Sequence, residues 1–156
     1  MGALRDLSNL AVVAALSLCA CKGTALPQGK ARFITAAAEP ERVDLLVTQT
    51  RQASSAEHRT LLVYAGATWC EPCRHFHEAV EAGKLDAEFG TLDFLAFDVD
   101  RDNERLAFAN YNTGMIPLLA VPDEHGRGNE RFMSGSIKGD GAVAEMTPRL
   151  KALLQR

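Results

Sequence analysis

Apolar and polar positions alternate along this chain in blocks that read as helix, strand, helix, strand. Val43, Leu46, Val47 and Thr50 fall at helical spacing after Pro40, which predicts a helix over Glu41–Ala56. Thr60–Gly66 contains the unbroken apolar run Leu61-Leu62-Val63-Tyr64-Ala65 and predicts a buried strand. Pro72–Ala82 places Cys73, Phe76 and Val80 on one helical face. Leu92–Val99 predicts a second strand, ended by Asp98-Val99-Asp100. Asn103–Tyr111 then predicts a helix with Leu106 and Tyr111 inward, and Ile116–Val121 a third strand. Pro122–Gly128 is dense in Pro, Asp and Gly and reads as a turn, with Glu130–Met133 as a short hairpin partner. Gly141–Leu154 closes the chain as a helix with Val143, Met146, Leu150 and Leu153 inward. Strands separated by helices imply a parallel portion of sheet, and the hairpin adds an antiparallel edge. The expected class is α/β, a central mixed sheet flanked by helices.

The chemistry sits at the first strand-to-helix junction. Trp69-Cys70-Glu71-Pro72-Cys73 places two cysteines two residues apart at the mouth of a predicted helix. Free backbone N–H groups and the positive dipole end favour a thiolate on Cys70 there. Pro72 fits the first helical turn because its missing N–H had no partner in any case. Cys73 lies inside that turn, near enough to close a disulfide. Such a dithiol cycles between two thiols and one disulfide. Two other readings compete. A zinc site would need further ligands, and no second Cys-x-x-Cys or suitably spaced Cys/His pair follows. His75 and His77 are close in sequence, but one helical turn is a poor frame for a closed tetrahedral site. A structural disulfide closing so short a loop would constrain the unfolded chain little. The redox reading is the strongest, with no metal and no cofactor beyond the Cys70–Cys73 disulfide.

The beginning of the chain adds a place for this chemistry. Arg5 and the apolar run Leu10–Ala20 read as a secretory signal, too short to span a bilayer. Leu18-Cys19-Ala20-Cys21 resembles the bacterial lipobox, which implies cleavage before Cys21 and acylation of that residue. The alternative is an ordinary cleaved signal. Several acyl chains on Cys21 would anchor the protein to a membrane. Cleavage and acylation would leave only Cys70 and Cys73 of the four cysteines as thiols. Lys22–Ala38 is rich in Ala, Gly, Thr and Pro with little periodicity and reads as a tether, unless Arg32-Phe33-Ile34 packs as an edge strand. The expected organisation is a signal over 1–20, a tether over 21–40 and one domain over 41–156. Composition changes little: 156 residues, 47% of them hydrophobic, suit one core, and a net charge of −3 suggests no nucleic-acid partner.

The order of elements, with Trp-Cys-x-Pro-Cys after the first central strand, resembles the thioredoxin fold over Glu41–Gln155. That resemblance implies a cis-proline opposite the dithiol, at the start of the strand after the third helix. Met115-Ile116-Pro117-Leu118-Leu119 occupies that place, so the resemblance assigns Ile116 and Pro117 to a substrate groove in which an extended segment pairs with the backbone. Cys-Glu-Pro-Cys with a lipid anchor further resembles extracytoplasmic thiol–disulfide proteins that reduce apocytochrome cysteines. It implies disulfide-containing protein substrates, an extracytoplasmic electron donor, and catalytic roles for Cys70 and Cys73, with Trp69, Glu71 and Pro72 tuning the redox behaviour. Lys22 after Cys21 implies, by the lipoprotein sorting rule, the outer membrane where the source has one. There are departures. Many reductases of this superfamily carry a buried carboxylate below the second cysteine, and this chain has Tyr64 and Phe76 at the corresponding positions. Proton transfer to and from Cys73 must then use water, Glu71, Tyr64 or His77. Three function classes stay open: a reductase of exported proteins, a dithiol oxidase or isomerase, and a copper(I) carrier using Cys70, Cys73 and a histidine. The negative charge of Glu71 beside Cys70 opposes the thiolate and favours the reductase.

Overall fold

The computed structural model describes residues 29–38 and 41–155. The signal, the lipobox and Cys21 lie outside the described residues. The continuous apolar run of β2 (Thr60–Gly66) is buried from Leu61 onward, as a central strand requires. It pairs in parallel with β3 (Leu92–Asp98), which pairs in parallel with β1 (Arg32–Thr35). On its other side it pairs antiparallel with β4 (Leu118–Ala120), which pairs antiparallel with β5 (Phe132–Ser134). The five strands run in the order β1-β3-β2-β4-β5. This is the mixed sheet flanked by helices, of thioredoxin type, that the sequence predicted.

The two-residue period of the strands divides the core into two layers. Leu62, Tyr64 and Phe94 point to one face, beneath α2 (Glu71–Glu81) and α5 (Ala142–Leu154), where they meet Phe76, Met146 and Leu150. Leu61, Val63, Ala65, Leu95 and Phe97 point to the other, covered by α1 (Val43–Ala56) and α4 (Val99–Phe108). The first layer contains both Cys70 and Cys73. Among the described residues, no helix is long and apolar enough to cross a membrane.

Several boundaries differ from the sequence expectation, each for a local reason. Arg32–Thr35, placed in the tether with an edge strand at Arg32-Phe33-Ile34 as the alternative, is that edge strand, so the ordered domain takes in residues before 41. Arg32 binds the Asp93 carboxylate at 2.8 Å, and the Phe33 ring packs on Tyr64, Phe76 and Phe94. α4 begins at Val99, not Asn103. Asp98 ends the strand and caps the helix, its carboxylate accepting the Asp100 N–H at 3.0 Å. The acidic run therefore belongs to a helix N-terminus, where negative charge is favoured. Ladder pairing in β4 starts at Leu118, because Pro117 has no N–H to donate. A one-turn helix, α3 (Asp86–Phe89), has no counterpart in the expectation and buries Phe89.

Candidate redox site

β2 ends at Gly66, and three residues of turn carry the chain to Cys70, the N-cap of α2. The Cys70 backbone is extended (φ −81°, ψ 107°), and its sulfur accepts the Cys73 N–H at 3.3 Å. A cysteine thus takes the place usually held by a serine or aspartate cap, so an orphan amide of the helix points at its sulfur. Pro72 sits in the first turn. Cys70 and Cys73 are joined as a disulfide, with Cα atoms 5.2 Å apart. Cys70 is 5% exposed and Cys73 3%. Cys70 is thus almost as sheltered as Cys73.

The segments before Cys70 and before Pro117 each expose an apolar side chain. Trp69 is 67% exposed, its indole N–H donating to the Asp100 carboxylate at 2.9 Å. The contact ties the residue before Cys70 to the first turn of α4. Met115 is exposed, Pro117 is buried, and the Ile116–Pro117 peptide is cis. Ile116 packs against the core layer that holds the two cysteines. Glu71 opens α2, and its carboxylate accepts the Gly139 N–H at 3.1 Å. His75 lies one turn on, its Nε2 3.7 Å from the same oxygen.

Behind Cys73 stands Tyr64. Its hydroxyl reaches the Cys73 carbonyl at 3.5 Å, a long and weak hydrogen bond. Burial pushes the phenol's pKa well above its ordinary value, so the group is neutral at any physiological pH. The Tyr64 ring packs between Phe33 and Phe76, 5.1 and 6.0 Å away. Gly66 is required beside it, since a Cβ there would lie 2.5 Å from the Tyr64 hydroxyl. His77 lies one turn beyond Cys73 on α2 and lines one cleft with it. Its ring lies flat on Phe33 at 4.2 Å, and its Nδ1 is 3.4 Å from Glu81. A mainly apolar cleft of about 480 Å³ opens between Tyr64, Ala67, Cys73, His77, Ala96 and Arg101. It offers water a way toward Cys73.

The structure brings Trp69, Cys70, Glu71, Pro72 and Cys73 together at one helix end and packs Ile116 on the same core layer. Asp100, bonded to Trp69, Met115, next to Ile116 in the chain, and the loop residues Ile137 and Gly139, the second bonded to Glu71, carry no role in the sequence reading. The glycine-spaced stretch Gly135-Ser136-Ile137-Lys138-Gly139 was the available signal for the last two. Among the described residues, no group of three or more His, Cys, Asp or Glu side chains is arranged to hold a metal ion.

No family model and no curated protein matches the chain. Among solved structures it is similar to thioredoxin O1 from Arabidopsis thaliana in the oxidized state, at 15% identity and a TM-score of 0.48, over 79% of this chain and 95% of that one. It is also similar to a mutant thioredoxin from Halobacterium salinarum NRC-1, at 18% identity and a TM-score of 0.44, over 81% of this chain and 95% of that one. The assignment of the fold rests on the strand order itself, and the chemistry of the site on Cys70, Cys73 and the groups around them.

Proposed function

We propose that the chain is a thiol–disulfide oxidoreductase that reduces disulfides of exported proteins through Cys70 and Cys73. The observation that carries this reading is the Cys70–Cys73 disulfide at the N-terminus of α2, with the Cys73 amide directed at the Cys70 sulfur. In the reduced protein that amide and the helix dipole stabilise a Cys70 thiolate, the nucleophile of the exchange. The thiolate attacks one sulfur of a substrate disulfide. A Cys70–substrate bond forms, the substrate S–S bond breaks, and one substrate thiolate leaves and takes up a proton. Cys73 gives up its proton and attacks the Cys70 sulfur, releasing the second substrate thiolate. Two electrons have passed to the substrate, and the protein holds the disulfide seen here. A dithiol donor on the same side of the membrane restores the reduced form.

The reducing direction is supported by charge. Glu71 adds a negative charge within one residue of Cys70, which raises the free energy of the thiolate and so favours the disulfide form of this protein. Tyr64 contributes no charge beneath Cys73. Ile116 and Pro117 supply the groove for an extended substrate segment, and Trp69 and Pro72 shape the approach to Cys70. An oxidase or isomerase would use the same residues at a higher potential.

Insulin reduction tests the reading. Cys70→Ser abolishes turnover, and Cys73→Ser accumulates mixed disulfides on Cys70, because the resolving thiol is gone. Turnover of Cys70→Ser equal to that of the parent protein sinks the proposal. The membrane part of the reading places diacylglycerol and acyl groups on Cys21, and mass spectrometry of the mature N-terminus decides it. A free Cys21 amine and thiol on a released product contradicts the anchor.

A further inference from the structure

The loop between β5 and α5 is held in an unusual way. Gly135 and Gly139 both have positive φ, +66° and +84°, so the backbone takes left-handed conformations that its sequence permits without dictating. At its start the Gly135 N–H donates to the Pro117 carbonyl at 3.0 Å. A Cβ on Gly135 would lie in van der Waals contact with Met115. At its crest the Gly139 N–H donates to Glu71, the residue between the two cysteines. A Cβ on Gly139 would meet nothing within 4 Å, so the crest has no packing of its own at that position. Between these two anchors stands Ile137, a bulky apolar side chain 54% exposed. One anchor is the Pro117 peptide unit, and the other is the dithiol helix.

We infer that Glu71 is a positioning residue: by holding the Gly139 amide it sets Ile137 as the apolar wall of the substrate groove across from Met115. The inference rests on the proposed reduction of protein disulfides and names the substrate class more narrowly. Trp69, Met115 and Ile137 are the exposed apolar side chains of the dithiol segment, the segment before Pro117 and this loop, and together they select extended segments that carry a bulky apolar side chain beside their disulfide. The role is separate from the charge of Glu71. A glutamine keeps an oxygen to accept the Gly139 N–H and loses the charge. An alanine loses both.

Amide hydrogen exchange and insulin-reduction kinetics on the full chain distinguish the possibilities. In Glu71→Ala the Gly139 amide exchanges faster by about an order of magnitude, and Glu71→Gln restores most of the protection. In the same variant KM for insulin rises about three- to ten-fold, the worth of one hydrogen bond, and Glu71→Gln recovers it although both variants lose the charge beside Cys70. Ile137→Ala raises KM comparably, and combining it with Glu71→Ala adds nothing further, because both act through one wall. Unchanged Gly139 exchange in Glu71→Ala overturns the clamp. Faster exchange with an unchanged KM overturns the role of the loop in the groove, as do fully additive effects of the two alanines. A parent protein that does not reduce insulin overturns the proposed function instead, and amide exchange then reports on the clamp alone.

Discussion

Two polar side chains lie inside this sheet on neighbouring central strands, and their surroundings are opposite. Asp93 on β3 is fully buried and charged. Burial pushes its carboxyl up, but hydrogen bonds from Arg32, Ser54 and Arg59 outweigh that and hold it below the usual carboxylate range. Tyr64 on β2 is nearly as enclosed, but it is neutral, sits among aromatic rings and makes one long hydrogen bond to the Cys73 carbonyl. The contrast shows where the sheet accepts the cost of a buried charge. It does so near the sheet edge, where two guanidinium groups converge and fasten β1 to β3. Next to the sulfur it does not. In the proposed function the dithiol is tuned at the helix end, by the Cys73 amide, the dipole and Glu71, and among the described residues no buried acid lies beneath it.

Substitutions at the two positions sharpen that contrast. Asp93→Ala leaves Arg59, whose side chain is 11% exposed, without its carboxylate, and removes the link to β1. Breaking a buried pair in this way costs about 3–5 kcal/mol, measured by urea unfolding. The same site sets an acid limit. Its folded pKa is depressed, so its contribution is complete above the unfolded value of about 3.9 and is lost as pH falls through the lower folded value. Asp102, fully buried against Arg101 and Arg105, has the same sign and adds to the loss. The midpoint for urea should therefore fall steeply below about pH 4, and this slope should flatten in Asp93→Ala. Tyr64→Phe removes only the weak hydroxyl contact and costs about 1 kcal/mol or less. A loss at Tyr64 as large as that at Asp93 breaks the comparison.

What the sequence disclosed follows from how local each signal is. The apolar run Leu61–Ala65, the Cys70/Cys73 spacing and the helical faces of α2 and α5 are patterns within a dozen residues, and they located the strand, the dithiol and its helix. The edge strand Arg32–Thr35 was harder, because a four-residue strand with only a partly buried centre carries little alternation. Asp98-Val99-Asp100 reads as a strand end, although an aspartate before a helical segment is equally a cap. Asp93 is a lone carboxylate in an apolar run, and nothing in the sequence says that Arg32 and Arg59 meet it. The contacts that border the dithiol were the least legible. Trp69 meets Asp100 across 31 residues and Glu71 meets Gly139 across 68, and no periodicity reports such pairings.

Whether the proposed direction, from this dithiol to a substrate disulfide, holds is decided by its reduction potential. The Cys70–Cys73 pair, equilibrated with glutathione or dithiothreitol buffers and quantified by thiol trapping, should lie nearer the about −270 mV of a thioredoxin-type reductant than the about −120 mV of a strong dithiol oxidant. Glu71→Gln at low salt should move it upward, 30 mV corresponding to roughly 1.4 kcal/mol. A potential near that of the strong oxidant, or one that stays put or falls in Glu71→Gln, would contradict the account.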